Sequence, residues 1–168
     1  ADAPIDPLAT LTAVDARWQH VFDEPAAAAA GYDGLRAFVP LRAGGIVAIG
    51  IERGTLAWQR DLSTAFMPAT GDGLVFIAGT QTITALDAAT GRTAWTAETG
   101  APVAAPPYWD TGWLILSTAD GTLTAYRAND GVQVWSRPLG APLAVAPAPA
   151  LDRLYLGLTD GRLVSAGL

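Results

Sequence analysis

One histidine, sixteen acidic side chains and no cysteine define the chemistry open to this 168-residue chain. His20 is the only imidazole, so any Ser-His-Asp arrangement has to be built on it. It stands two residues after Trp18 in strand-like text, which predicts a residue on a strand face rather than a general base. Asp23-Glu24 is an adjacent carboxylate pair, the type that acid–base catalysis uses. At a strand end, it reads as a solvated turn. Asp120 and Asp160 each precede a glycine at equivalent places along the chain. A repeated Asp-Gly is what tight hairpins require, with a calcium site as the second reading. Gly44-Gly45 and the other glycines follow no phosphate-loop spacing. Without cysteine there is no disulfide, no thiolate nucleophile and no cysteine-ligated metal, and a single histidine removes a histidine-rich centre. The sequence predicts no catalytic, metal or cofactor-binding residue and no bound cofactor.

The elements that would carry these residues are set by tryptophan. Trp18, Trp58, Trp95 and Trp135 stand 40, 37 and 40 residues apart, and they account for four of the six tryptophans. A period near 40 with strand-like text and glycine turns is the signature of a β-propeller blade. In the clearest unit, strand A is predicted at Thr64–Ala69, strand B at Leu74–Gly79, strand C at Ile83–Asp87 and strand D at Thr93–Ala97. The next unit places B at Trp113–Ser117, C at Leu123–Tyr126 and D at Val132–Trp135. An earlier, more divergent unit has B at Leu35–Leu41, C at Ile46–Ile51 and D around Trp58, with Ala26–Ala30 as its inner strand A. The last has B at Leu154–Leu158 and C at Leu163–Ser165.

Residues 1–16 read as a linker or tail, and residues 17–168 as repeats with units at about 24–62, 63–99, 100–139 and 140–168. Arg17–Phe22 reads as an orphan strand D, with Val14 standing where Gly54, Gly91 and Gly131 stand before the other tryptophans. The fold class is therefore all-β, with four blade equivalents of four antiparallel strands each. These form either a closed four-bladed ring or half of an eight-bladed one, and the second is favoured. The other half would be further sequence or a second copy, so a homodimer is one expectation.

The run Ala85-Leu86-Asp87-Ala88-Ala89-Thr90-Gly91-Arg92-Thr93-Ala94-Trp95 resembles the repeat of the quinoprotein-like (PQQ-like) β-propellers, Ala-x-Asp-x-x-Thr-Gly-x-x-x-Trp. Ala125 through Trp135 keeps the alanine, glycine and tryptophan but has Arg127 for the aspartate and Asp130 for the threonine. Ala48 through Trp58 keeps the same three. The resemblance implies that Trp18, Trp58, Trp95 and Trp135 lock blade to blade with Ala48, Ala85, Ala125, Gly54, Gly91 and Gly131. A large indole packs on small residues and needs one carbonyl for its N–H.

The family's dehydrogenases use adjacent cysteines, a calcium held by carboxylate and amide groups, and an aspartate base. This chain has no cysteine, and its only asparagine is Asn129, inside a turn. The resemblance then implies a non-enzymatic scaffold that binds proteins in a cell-envelope assembly, in the periplasm or outside the cell. The alternatives are an extracytoplasmic ligand-sensing or cofactor-binding domain, or a fragment of a quinoprotein enzyme.

One cluster is a candidate protein contact. In Pro106-Pro107-Tyr108-Trp109-Asp110-Thr111-Gly112-Trp113, Tyr108 and Trp109 are predicted near an exposed hairpin tip and Trp113 in the core. The other reading, which is favoured, has the pair covering the end of the ring.

Composition bounds the partners. Half the residues are hydrophobic (51%) and 15% are charged, so a large core can form. The ten basic residues are all arginine, the net charge is −6, and no basic stripe offers a nucleic-acid footprint. No apolar run is long enough to span a membrane, and the opening residues do not read as a signal peptide.

Overall fold

The computed structural model describes residues 16–167, and among them every regular element is a β-strand. The first sheet runs β1 (Gly31–Tyr32), β2 (Arg36–Leu41), β3 (Gly45–Gly50), β4 (Thr55–Arg60). The second is β5 (Ala69–Gly71), β6 (Leu74–Ala78), β7 (Thr82–Asp87), β8 (Thr93–Glu98). The third is β9 (Tyr108–Asp110), β10 (Trp113–Ser117), β11 (Thr122–Arg127), β12 (Gln133–Pro138). The fourth has three strands, β13 (Ala148–Ala150), β14 (Arg153–Gly157) and β15 (Leu163–Gly167). All pairings are antiparallel between chain neighbours, which is the meander of a propeller blade. The blades are not closed: no strand of the first sheet pairs with one of the fourth.

The hydrophobic core lies between the blades. Phe38, Ile46 and Ala48 of the first pack against Val75, Ile77, Leu86 and Ala88 of the second. Phe76, Ile83 and Ala85 meet Leu114, Leu116, Tyr126 and Ala128, and Ile115, Leu123 and Ala125 meet Leu154 and Leu156. Both faces of a middle blade are covered, so its B and C strands read as unbroken apolar runs, as in Leu74–Ala78. The D strands alternate between exposed and half-buried because only one side of each meets a neighbour.

The inner strands start later and are shorter than the sequence predicts. β5 begins at Ala69, after Pro68, instead of at Thr64; β9 follows Pro107 and β13 follows Pro147. Proline has no N–H to give to a ladder, so pairing starts beyond it. In the first blade, Ala26 makes only an isolated bridge to Leu41, and the inner strand is Gly31–Tyr32, not Ala26–Ala30. Residues 17–22 have no sheet pairing, because no strand C lies beside them among the described residues. The reading of residues 1–15 as a tail lies outside the described residues.

A β-bulge recurs in the C–D ladder, between Ala48 and Ile49, Ala85 and Leu86, and Ala125 and Tyr126. It sits beside the pairs Ala48–Trp58, Ala85–Trp95 and Ala125–Trp135, and a bulge re-aims the side chains next to it.

Candidate functional site

The A–B and C–D turns gather at one end of the blades. Ala88 N–H donates to the Gly73 carbonyl at 2.9 Å and Ala128 N–H to the Gly112 carbonyl at 2.8 Å, tying the two turns of a blade together. The A–B turns are tight: Asp72 and Gly73 have φ of 52° and 74°, the pair of positive values that a two-residue hairpin needs. Around this end the turns expose Tyr32, Leu35, Trp113 and Leu151. Leu151 is fully exposed and has φ of 57°, a backbone position that leucine rarely adopts. Asp33, Asp72, Asp110 and Asp152 stand in or beside the same turns, with Asp33 paired to Arg36 at 2.8 Å and Asp152 to Arg153 at 3.7 Å.

Below the rim are the tryptophan seats. Trp58 Nε1 donates to the Ala88 carbonyl at 3.0 Å, and Trp95 Nε1 donates to Ala128 at 2.8 Å. Each accepting carbonyl lies three residues before a glycine, Gly91 or Gly131, and the indole lies on that glycine. A β-carbon on Gly91 would come within 2.7 Å of the Trp58 ring. Trp18 repeats the arrangement on the first blade, donating to Ile51 at 2.7 Å and lying on Gly54. His20 bonds the Gly54 carbonyl through Nδ1 at 3.1 Å, as the Arg60 guanidinium bonds the Gly91 carbonyl. Trp135 is different: among the described residues its indole N–H has no carbonyl partner, and it lines an apolar cleft of about 670 Å³ beside the fourth blade.

The Asp-x-x-Thr-Gly text builds a seat. Asp87 accepts hydrogen bonds from Thr90 N–H at 2.8 Å and Thr90 Oγ1 at 2.7 Å, bracing the turn that presents Gly91. These bonds hold the Asp87 carboxyl below its ordinary pKa, the Thr90 hydroxyl being the main cause. In the third blade Arg127 and Asp130 exchange the polarity. Their ion pair at 2.8 Å braces the turn under Gly131 and keeps Asp130 below the usual carboxylate range. The departure from the repeat thus preserves the turn by another bond.

The other polar candidates are part of turns. Asp120 accepts from Thr118 Oγ1 at 2.7 Å and Thr122 N–H at 3.1 Å, and Asp160 accepts from Arg162 Nε at 2.7 Å. Glu24 accepts from Ala43 N–H. Among the described residues no three His, Cys, Asp or Glu side chains cluster as a metal centre would need.

Tyr108 and Trp109 are not at an exposed tip. They lie on β9, both half-buried, with Trp109 packed on the second blade and lying on Gly71. Trp113, predicted in the core, is 41% exposed at the mouth of the cleft. Inward and outward positions of a strand this short cannot be told apart from sequence. The seat carbonyls and the bulge have no sequence signal beyond the motif spacing.

Residues 42–167 match the family described as outer membrane protein assembly factor BamB. The chain belongs to that family. Its fold is similar to BamB from Moraxella catarrhalis, with a TM-score of 0.79 and 23% identity over 89% of this chain and 49% of that one. It is also similar to the computationally designed Ika4 protein, with a TM-score of 0.74 and 14% identity over 88% of this chain and 94% of that one. A third is the quinohemoprotein alcohol dehydrogenase ADHIIG from Pseudomonas putida HK5, at 0.66 and 16% over 82% and 29%. No curated protein matches the chain. This BamB-family chain spans about half the length of the Moraxella protein. Among its described residues no helix is long and apolar enough to cross a membrane.

Proposed function

We propose that this BamB-family chain is a non-enzymatic scaffold that binds proteins in a cell-envelope assembly, on the periplasmic or outer side. The repeats of residues 17–168 form the scaffold, and the tryptophan seats hold its blades in line. Tyr32, Leu35, Trp113 and Leu151 form the contact rim. The observation that carries this reading is Leu151, an apolar side chain fully exposed on a left-handed backbone. Leu151 contributes nothing to the core, and with Tyr32, Leu35 and Trp113 exposed around the same end it makes an apolar group of the kind that marks a contact surface.

The test is capture from an envelope extract by the immobilised protein, with partners identified by mass spectrometry, and with a Leu35→Glu/Leu151→Glu variant alongside. The expected result is one reproducible partner whose recovery falls at least about tenfold in the variant, which is roughly 1.4 kcal/mol of binding, while Tm is unchanged. Equal recovery by the variant overturns the rim. A thermal-shift arm with pyrroloquinoline quinone and calcium separates the cofactor-binding alternative. Saturation at 100-fold the Kd would add about 2.7 kcal/mol of stability, and no shift is expected.

A further inference from the structure

The B–C turns and the D–A connections gather at the other end of the blades, away from the tryptophan seats. There the first three blades surround a cleft of about 500 Å³. Leu41, Ala78 and Val103, all buried, give it an aliphatic wall, and Arg42, Ser63 and Thr80 bring exposed polar groups to it. We propose that this cleft binds a small aliphatic monocarboxylate, with the carboxylate held by the Arg42 guanidinium and the alkyl body lying on the aliphatic wall.

Three observations carry this. The first is that the fold does not require an arginine at position 42. Its place in the B–C turn is held by Thr80, Ala119 and Thr159 in the other blades. What the turn uses is backbone. The N–H groups of Arg42, Ala119 and Thr159 donate to the carbonyls of Pro25, Pro102 and Pro142 at 3.0, 2.7 and 3.0 Å. Alanine serves that bond as well as arginine does, so the guanidinium is left for another role.

The second is charge. Arg36, Arg127, Arg153 and Arg162 each pair with an aspartate, whereas Arg42 pairs with no carboxylate among the described residues. Glu24, the acid that reaches this turn, accepts from the Ala43 N–H instead. Among the described residues Arg42 is the one charged side chain lining the cleft. A guanidinium presents a planar fork of donors that matches a carboxylate with two parallel bonds.

The third is what surrounds Arg42. Ser63 Oγ lies against Gly44, where a β-carbon would come within 2.5 Å of it, so a second donor stands beside the turn that carries the guanidinium. The Thr80 carbonyl accepts from Val103 N–H at 2.9 Å, which ties another hydroxyl-bearing residue to the aliphatic wall. Thr64, the buried hydroxyl of the lining, is turned back on its own loop and accepts from Phe66 N–H at 3.1 Å. Polar groups at the surface and an apolar wall behind them are the makings of a small-molecule site. A second carboxylate on the ligand would lie on Leu41 and Val103 without a partner, and an unpaired charge there is strongly disfavoured. The fit is therefore to an acid with one charge.

The test follows the amide NMR signals of isotope-labelled protein during titration with sodium hexanoate. Acetate, hexanol and inorganic phosphate are separate arms, and the hexanoate arm is repeated on Arg42→Gln. The expected result is saturable hexanoate binding that moves the signals of Gly44, Ser63 and Thr80. It should weaken at least about tenfold in Arg42→Gln, the loss of a charge-assisted bond. Acetate, hexanol and phosphate should each bind more weakly than hexanoate. No saturable change at those amides overturns the site. Equal binding by Arg42→Gln, or hexanol binding as tightly as hexanoate, overturns the guanidinium as anchor. Phosphate or acetate binding as tightly as hexanoate overturns the aliphatic wall and leaves a simple anion contact. If Arg42→Gln does not fold, hexanoate against hexanol on the wild-type protein decides.

Discussion

Trp95 lies across Gly131 of the following blade so closely that a β-carbon there would sit 2.5 Å from its ring. The glycine is also held at φ of 72°, so both the space and the backbone require it. The same contact joins Trp58 to Gly91 and Trp18 to Gly54, which makes it the recurrent joint of the molecule.

Replacing the seat should therefore weaken folding more than replacing the bond. Gly131→Ala combines about 1–2 kcal/mol for the left-handed backbone with about 1–3 kcal/mol for overpacking. Trp95→Phe keeps most of the packing and leaves the Ala128 carbonyl without its donor, a loss of about 1 kcal/mol. Urea unfolding of the two variants gives the order directly. A Gly131→Ala protein as stable as wild type would mean that the indole moves aside.

Trp109 offers the opposite case. Its Nε1 is buried and among the described residues has no hydrogen-bond partner, while its ring packs on Gly71 and the core between the second and third blades. An unpaired buried donor is destabilising by about 1–3 kcal/mol. Trp109→Phe should thus be neutral or stabilising, and Trp109→Ala should cost about 3 kcal/mol through lost packing. Thermal melts of both variants check this, and equal losses would show that the N–H is not the deciding feature.

The carboxyl that braces the Trp58 seat makes part of the stability depend on pH. Asp87 is held below its ordinary value in the folded chain, first by the Thr90 hydroxyl. A depressed carboxylate contributes stability above its unfolded pKa, near 3.9, and that contribution fades as pH falls through the folded value. Thr90→Val should raise the Asp87 pKa toward the ordinary carboxylate value and flatten the acid limb of the stability curve. An NMR titration of the Asp87 side chain reads the shift. An unchanged pKa in the variant would assign the depression to the backbone N–H groups instead.

Much of the fold was legible because tryptophan, glycine and the Asp-Gly turns keep a period. The B and C strands fell within a residue or two of their places, since both faces are buried and the apolar runs are unbroken. The inner strands were not legible. They are two or three residues long, and in β5 and β9 the proline just before the strand decides where pairing starts. Trp113 was misplaced because exposure at the last blades depends on what covers them, and periodicity carries no record of that. The seats were legible in residue type, but which blade supplies the carbonyl is a fact of geometry.

That one-blade offset between each indole and its seat bears on how such a chain can grow. A copied stretch of about one repeat carries the indole of one joint and the seat of the one before it. Inserted between two blades, it receives the upstream tryptophan on its own glycine and gives its own tryptophan to the blade downstream. Gene duplication can therefore lengthen the array with no compensating mutation at either junction. A deletion of one whole repeat rejoins the neighbours by the same rule. Blade number is then free to drift until ring closure selects it.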